Sequence, residues 1–106
     1  MPPPNTSWGN LQGMARWYHL LGTRSANRGD LNGALEWYDQ AIDNWRVMDD
    51  MLQLAVTTTQ KGHVLYLKGQ LDRAARAFRE ATEIYQEVGN EGGVSAGHRQ
   101  MAMVGD

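Results

Sequence analysis

Apolar and small residues recur at three- and four-residue steps along almost the whole chain. Between residues 11 and 27 they fall on Leu11, Met14, Ala15, Tyr18, Leu21 and Gly22, one face of a helix. Residues 31–47 repeat the pattern with Leu31, Ala34, Leu35, Tyr38, Ala41, Ile42 and Trp45. Residues 51–68 give Leu54, Ala55, Leu65 and Tyr66, and residues 71–87 give Leu71, Ala74, Ala75, Phe78, Ala81, Ile84 and Tyr85. A last helix is predicted over 91–104. The β-branched run Thr57-Thr58-Thr59 lowers helix propensity by a few tenths of a kcal/mol per residue, but the spacing continues through it. No stretch alternates long enough to predict a strand. The fold class expected is all-α.

The helices come in pairs, and the pairs repeat. Gly22, Gly29, Leu31, Ala34, Tyr38 and Ala41 return about forty residues on as Gly62, Gly69, Leu71, Ala74, Phe78 and Ala81. Three junctions keep the same spacing: Trp8-Gly9-Asn10, Met48-Asp49-Asp50 and Val88-Gly89-Asn90. Each sets an apolar residue before a turn pair. Gly and Asn tolerate positive φ and end a helix, Asn or Asp caps the next, and the apolar residue is placed to pack across the junction. Short turns make neighbouring helices antiparallel. Gly22 and Gly62 let two axes approach closely opposite Ala34 and Ala74, and the rings of Tyr38 and Phe78 fill the space one turn on.

With 106 residues the chain makes one domain, expected over residues 9–106 behind a disordered proline-rich tail at 1–8. Repeat one covers 11–48, repeat two 51–88, and the final helix 91–104. The formal charge of -2 argues against a nucleic-acid partner, which calls for a basic surface. Cysteine is absent, which excludes disulfides and thiolate metal sites. The first seven residues have neither the basic start nor the apolar run of a signal peptide, and no run approaches the roughly 20 apolar residues of a membrane span. A cytoplasmic location and no membrane association are expected.

Chemistry is hard to find. His19, His63 and His98 stand at non-equivalent repeat positions, without a partner at metal-ligand spacing, so no metal or cofactor is expected. Ser7, Ser25 and Ser95 lack a nucleophile context. Gly89 to Gly93 follows a helix and fits no phosphate-loop spacing. No catalytic residue is assigned, and the chain is not expected to be an enzyme.

The repeated Gly, Gly, Leu-x-x-Ala, aromatic and Ala positions resemble the tetratricopeptide repeat. That family's common unit is roughly 34 residues. The longer unit here adds about one and a half helical turns, as in a long-period variety of the family. Thr58 departs from the first-helix aromatic that Tyr18 supplies, Lys61 stands where Leu21 does, and the closing proline of the motif is absent.

The resemblance implies a right-handed superhelix of two helix pairs plus one helix, whose first helices line a concave groove for a peptide or helix. Its ligand-facing positions fall on Arg16, His19, Leu20, Thr23 and Asn27, then Val56, Thr59, Gln60, His63 and Leu67, then Arg99, Gln100 and Met103. One subclass grips the carboxylate of chaperone tails with Lys, Asn and Arg. His19, Thr23, His63, Ala96 and Gln100 occupy those places here, so no such clamp is expected.

Charge sharpens the expected partner. The first helix and its turn carry Arg16, Arg24 and Arg28 without an acid, and the third carries Lys61 and Lys68. The second carries Glu36, Asp39 and Asp43. A basic groove favours acidic peptides by long-range attraction. The alternative is a homo-oligomer formed through the open ends, with Trp17, Trp37, Met101, Met103 and Val104 as contact candidates.

Overall fold

The structure is a computed structural model that describes residues 8–105. The proline-rich tail expected at the start lies outside the described residues apart from Trp8. Helix α1 spans Trp8–Asn27, α2 Leu31–Met48, α3 Met51–Leu67, α4 Leu71–Glu87 and α5 Glu91–Met103, and no strand occurs among the described residues.

One turn geometry links all five helices. Gly29, Asp49, Gly69 and Gly89 each take positive φ, at 84°, 57°, 80° and 75°. The next residue caps the following helix. Asp30, Asp50 and Asn90 accept the N–H of Gly33, Gln53 and Gly93 at 3.0, 3.2 and 2.8 Å, while Gln70 makes no such bond. The cap's own N–H reaches back to the carbonyl of Ser25, Trp45, Leu65 or Tyr85. The left-handed residue closes the helix end and its neighbour starts the next, so the chain reverses within two or three residues.

The first junction differs from expectation. Trp8, Gly9 and Asn10 are helical, so α1 begins about one turn early. Of the apolar residues expected to pack across junctions, Met48 joins the core beside Trp45 and Leu54, whereas Val88 stays exposed.

Consecutive helices pack against each other, and α1 also touches α3. The Cα envelope measures 44 × 33 × 17 Å. Its thin dimension suits two helix layers, axes 8–10 Å apart: α1, α3 and α5 in one, α2 and α4 in the other. Three apolar clusters run along the slab. Ala34, Tyr38 and Val64 form one, and Leu65, Ala74 and Phe78 form another. Ala15, Ala41, Ile42, Trp45, Leu54, Ala55 and Ile84 make the largest.

Gly22 and Gly62 set the distance between the paired helices. A Cβ on Gly22 would stand 2.6 Å from the Tyr38 ring, and one on Gly62 2.6 Å from the Phe78 ring. These rings are buried between backbones and cannot swing away. Gly13, on the exposed side of α1, has nothing within 4 Å of such an atom. Two alanine substitutions of opposite sign follow. Gly22→Ala should lower stability by about 1–3 kcal/mol through overpacking, and Gly13→Ala should raise it by roughly 0.5–1 kcal/mol through helix propensity. Urea denaturation of both variants measures the pair; a neutral Gly22→Ala would mean that α1 and α2 do not cross there.

Candidate functional site

The residues expected to line a groove sit on three helices of one layer. Arg16, Leu20, Asn27, Leu67, Arg99 and Met103 are exposed, and His19, Thr23, Val56, Thr59, Gln60, His63 and Gln100 are half-buried. None is buried, as a surface stripe requires. On α3, positions 56, 59, 60, 63 and 67 share one side by helical spacing. Thr58, Lys61 and Leu65 occupy the other, toward α2 and α4.

Much of the polar chemistry on this stripe is spent inside the protein. His19 Nδ1 lies 2.9 Å from Thr57 Oγ1, joining α1 to α3. Thr57 is fully buried and also accepts the indole N–H of Trp45 at 3.0 Å. An indole nitrogen only donates, so Thr57 Oγ1 accepts from Trp45; its remaining lone pair and its proton let it accept from or donate to His19 Nδ1 according to the imidazole tautomer. His63 Nε2 lies 3.3 Å from Gln100 Nε2, joining α3 to α5. Both imidazoles also rest against core rings: His19 is 5.4 Å from Tyr38 and His63 5.2 Å from Phe78. Thr23 Oγ1 and the Tyr38 hydroxyl lie 2.9 Å apart, and the Thr59 hydroxyl donates to the Ala55 carbonyl within its own helix.

Burial acts on these groups in one direction. It lowers the pKa of His19 and of His63 from the ordinary histidine value by disfavouring the cation. It raises that of Tyr38, against the opposing hydrogen bond from Thr23. Burial therefore favours the neutral imidazole in both struts.

Arg16, Asn27, Gln60 and Arg99 make no hydrogen bond or ion pair with other described residues, so they carry the stripe's free polar groups. Leu20, Leu67 and Met103 add apolar surface, at 46%, 66% and 49% exposure. The basic character expected of α3 is not part of it. Lys61 Nζ lies 2.7 Å from Asp39 Oδ1, and Lys68 hydrogen-bonds Asn32, both on α2. These side chains turn toward the acids and amides of the other layer because α2 packs directly on α3. Positive charge on the stripe comes from Arg16 and Arg99.

The five self-association candidates divide. Met101 and Val104 pack against the Leu65, Ala74 and Phe78 cluster, so α5 uses them within the chain. Trp37 is partly exposed and stacks on Tyr18, with centroids 5.9 Å apart and planes 18° from parallel. Trp17 and Met103 are open, at 46% and 49% exposure.

Antiparallel helix pairs joined by one repeated turn, with glycine-and-ring crossings and a continuous first-helix surface, define a helical-repeat protein. The family model described as Tetratricopeptide repeat matches residues 13–87, and the chain belongs to that family. No curated protein gives a significant match. Proteins of this family generally mediate protein–protein interactions as non-catalytic modules. No described helix is long and apolar enough to cross a membrane.

Sequence reading missed Thr57. Its repeat counterparts are Trp17 and Gly97, and their dissimilarity hid a position that faces the preceding helix pair in both internal copies. Thr57→Val keeps the shape but leaves the Trp45 N–H buried without an acceptor, so it should cost about 1–3 kcal/mol, with Thr57→Ser close to wild type by chemical denaturation. The histidines predict a pH dependence. A lower folded pKa means that the unfolded chain binds protons first as pH falls. Stability should therefore be full above about pH 6.5 and decline below it, toward the lowered folded values. Thermal unfolding across this window should show the decline in wild type and a flatter profile in His19→Gln and His63→Gln.

Proposed function

We propose that this chain is a binding module that holds an extended or helical peptide along the stripe formed by α1, α3 and α5, with a preference for acidic and apolar residues. One observation carries the reading. The stripe's free charged side chains are Arg16 and Arg99, and neither α1 nor α3 contains an acid. Apolar anchors at Leu20, Leu67 and Met103 lie among them. An acidic peptide gains long-range attraction, and a basic one meets like charge. Asn27 and Gln60 have free amides that can hold a peptide backbone, which needs a donor and an acceptor together.

Self-association is the second reading, favoured by Trp17 and Leu20, adjacent on one helix side and each 46% exposed. Arg16 and Arg24 flank them on the same acid-free helix, so a two-fold pairing of α1 with its copy brings like charges together. Light scattering against concentration separates the readings.

Selection from a displayed peptide library tests the first. Enriched sequences should be acidic with spaced apolar residues. Arg16→Glu combined with Arg99→Glu should weaken the best of them by at least about tenfold without shifting the melting temperature, because both side chains are exposed and unpaired. Enrichment of basic peptides, or unchanged affinity in the double variant, would overturn the reading.

A further inference from the structure

The second repeat differs from the first at two facing positions. In the first, Tyr18 of α1 and Trp37 of α2 stack over the seam between their helices. About forty residues on, the same places hold Thr58 and Ala77. Two rings are replaced by side chains too small to meet, and a cleft of about 510 Å³ opens there, between α2 and α4 above α3. It lies on the opposite side of α3 from the peptide stripe. Ile42 and Leu65 supply apolar floor beside Thr58 and Ala77.

Two further observations mark the cleft as incomplete. The Thr58 hydroxyl is buried and has no hydrogen-bond partner among the described residues. Buried hydroxyls are nearly always partnered. The walls also carry unequal charge. On the α2 side Asp39 is bonded to Lys61 while Asp43 has no partner. On the α4 side Glu80 meets Arg46 at 3.5 Å, Arg73 donates to Gln70, and Arg76 has no partner. The α2 wall therefore offers one uncompensated negative charge, and the α4 wall two positive ones, of which Arg76 has no partner and Arg73 is bonded only to a neutral amide.

We propose that this cleft is a second docking site, which receives one aromatic side chain from a partner peptide. The ring takes the space that Tyr18 and Trp37 fill in the first repeat. A basic residue beside it faces Asp43, and an acidic residue on its other side faces Arg76. The site is independent of the stripe, so a partner can occupy both faces of α3 at once.

The probe is the blocked peptide Gly-Lys-Trp-Glu-Gly, titrated into the ¹⁵N-labelled full chain and followed by amide chemical shifts. Saturable shifts should centre on Thr58, Ala77, Asp43 and Arg76, and the peptide with Ala in place of Trp should bind at least about tenfold more weakly. Thr58→Tyr with Ala77→Trp rebuilds the first repeat's pair and should abolish binding, with thermal unfolding as the check that the variant folds. Arg76→Glu, a change at an exposed and unpaired side chain, should weaken binding several-fold and keeps the test valid if the double variant does not fold. Absence of saturable shifts, shifts centred on Arg16, Leu20 or Met103, or equal binding of the Ala peptide would each overturn the proposal.

Discussion

The rest of the structure depends on how closely two helix backbones approach at Gly22 and Gly62. At each crossing a ring lies against bare backbone, with no room for even one methyl group. The ring is then held between helices, and the next helix packs against its cluster through Val64 or Met101. Dispersion contacts of this kind are individually small and collectively large, and a gap of about 0.5–1 Å already forfeits roughly a quarter to a half of each. The repeat thus transmits position along the slab. Where α1 crosses α2 decides where α3 can sit, and where α3 crosses α4 decides the place of α5.

That geometry gives α3 its particular role. It is the only described helix with a helix pair before it and a helix pair member after it on both layers, so its two sides face different surroundings. Val56, Gln60, His63 and Leu67 belong to the surface shared with α1 and α5. Thr58, Lys61 and Leu65 belong to the seam with α2 and α4. The buried Thr57 stands between them and ties Trp45 to His19, linking the inner packing to the outer stripe. Burial there lowers the His19 pKa and so favours the neutral imidazole.

The architecture was legible because it rests on residues that recur. Gly22 and Gly62, Ala34 and Ala74, and Tyr38 and Phe78 meet the same neighbours in each copy, so their spacing carried the helix pairing directly. The turns were legible for a related reason: a left-handed residue followed by a capping residue has few sequence solutions. The start of α1 was not, because Trp8-Gly9-Asn10 has the spacing of the junctions at 48–50 and 88–90 and yet is helical. Side-chain direction was harder still. Lys61 and Lys68 share a helix with groove positions, and only the neighbouring acid and amide of α2 decide that they turn away. Spacing places a residue on a helix face, but a long flexible cation goes to the charge within its reach.

The same contrast bears on binding. Of the polar stripe residues carried by the family resemblance, His19, Thr23, Thr59, His63 and Gln100 already satisfy one another or the backbone. A ligand that used them would have to break those bonds and recover their full cost, since a buried group left unpaired loses more than a formed bond gains. The groups that can act without this penalty are Arg16, Asn27, Gln60 and Arg99, together with the exposed apolar tips of Leu20, Leu67 and Met103. On the peptide-binding reading proposed above, selectivity comes from where two arginines stand relative to three apolar anchors. The glycine crossings set the helix positions that fix this spacing, so on the same reading a change at Gly22 or Gly62 is expected to alter recognition without touching any ligand.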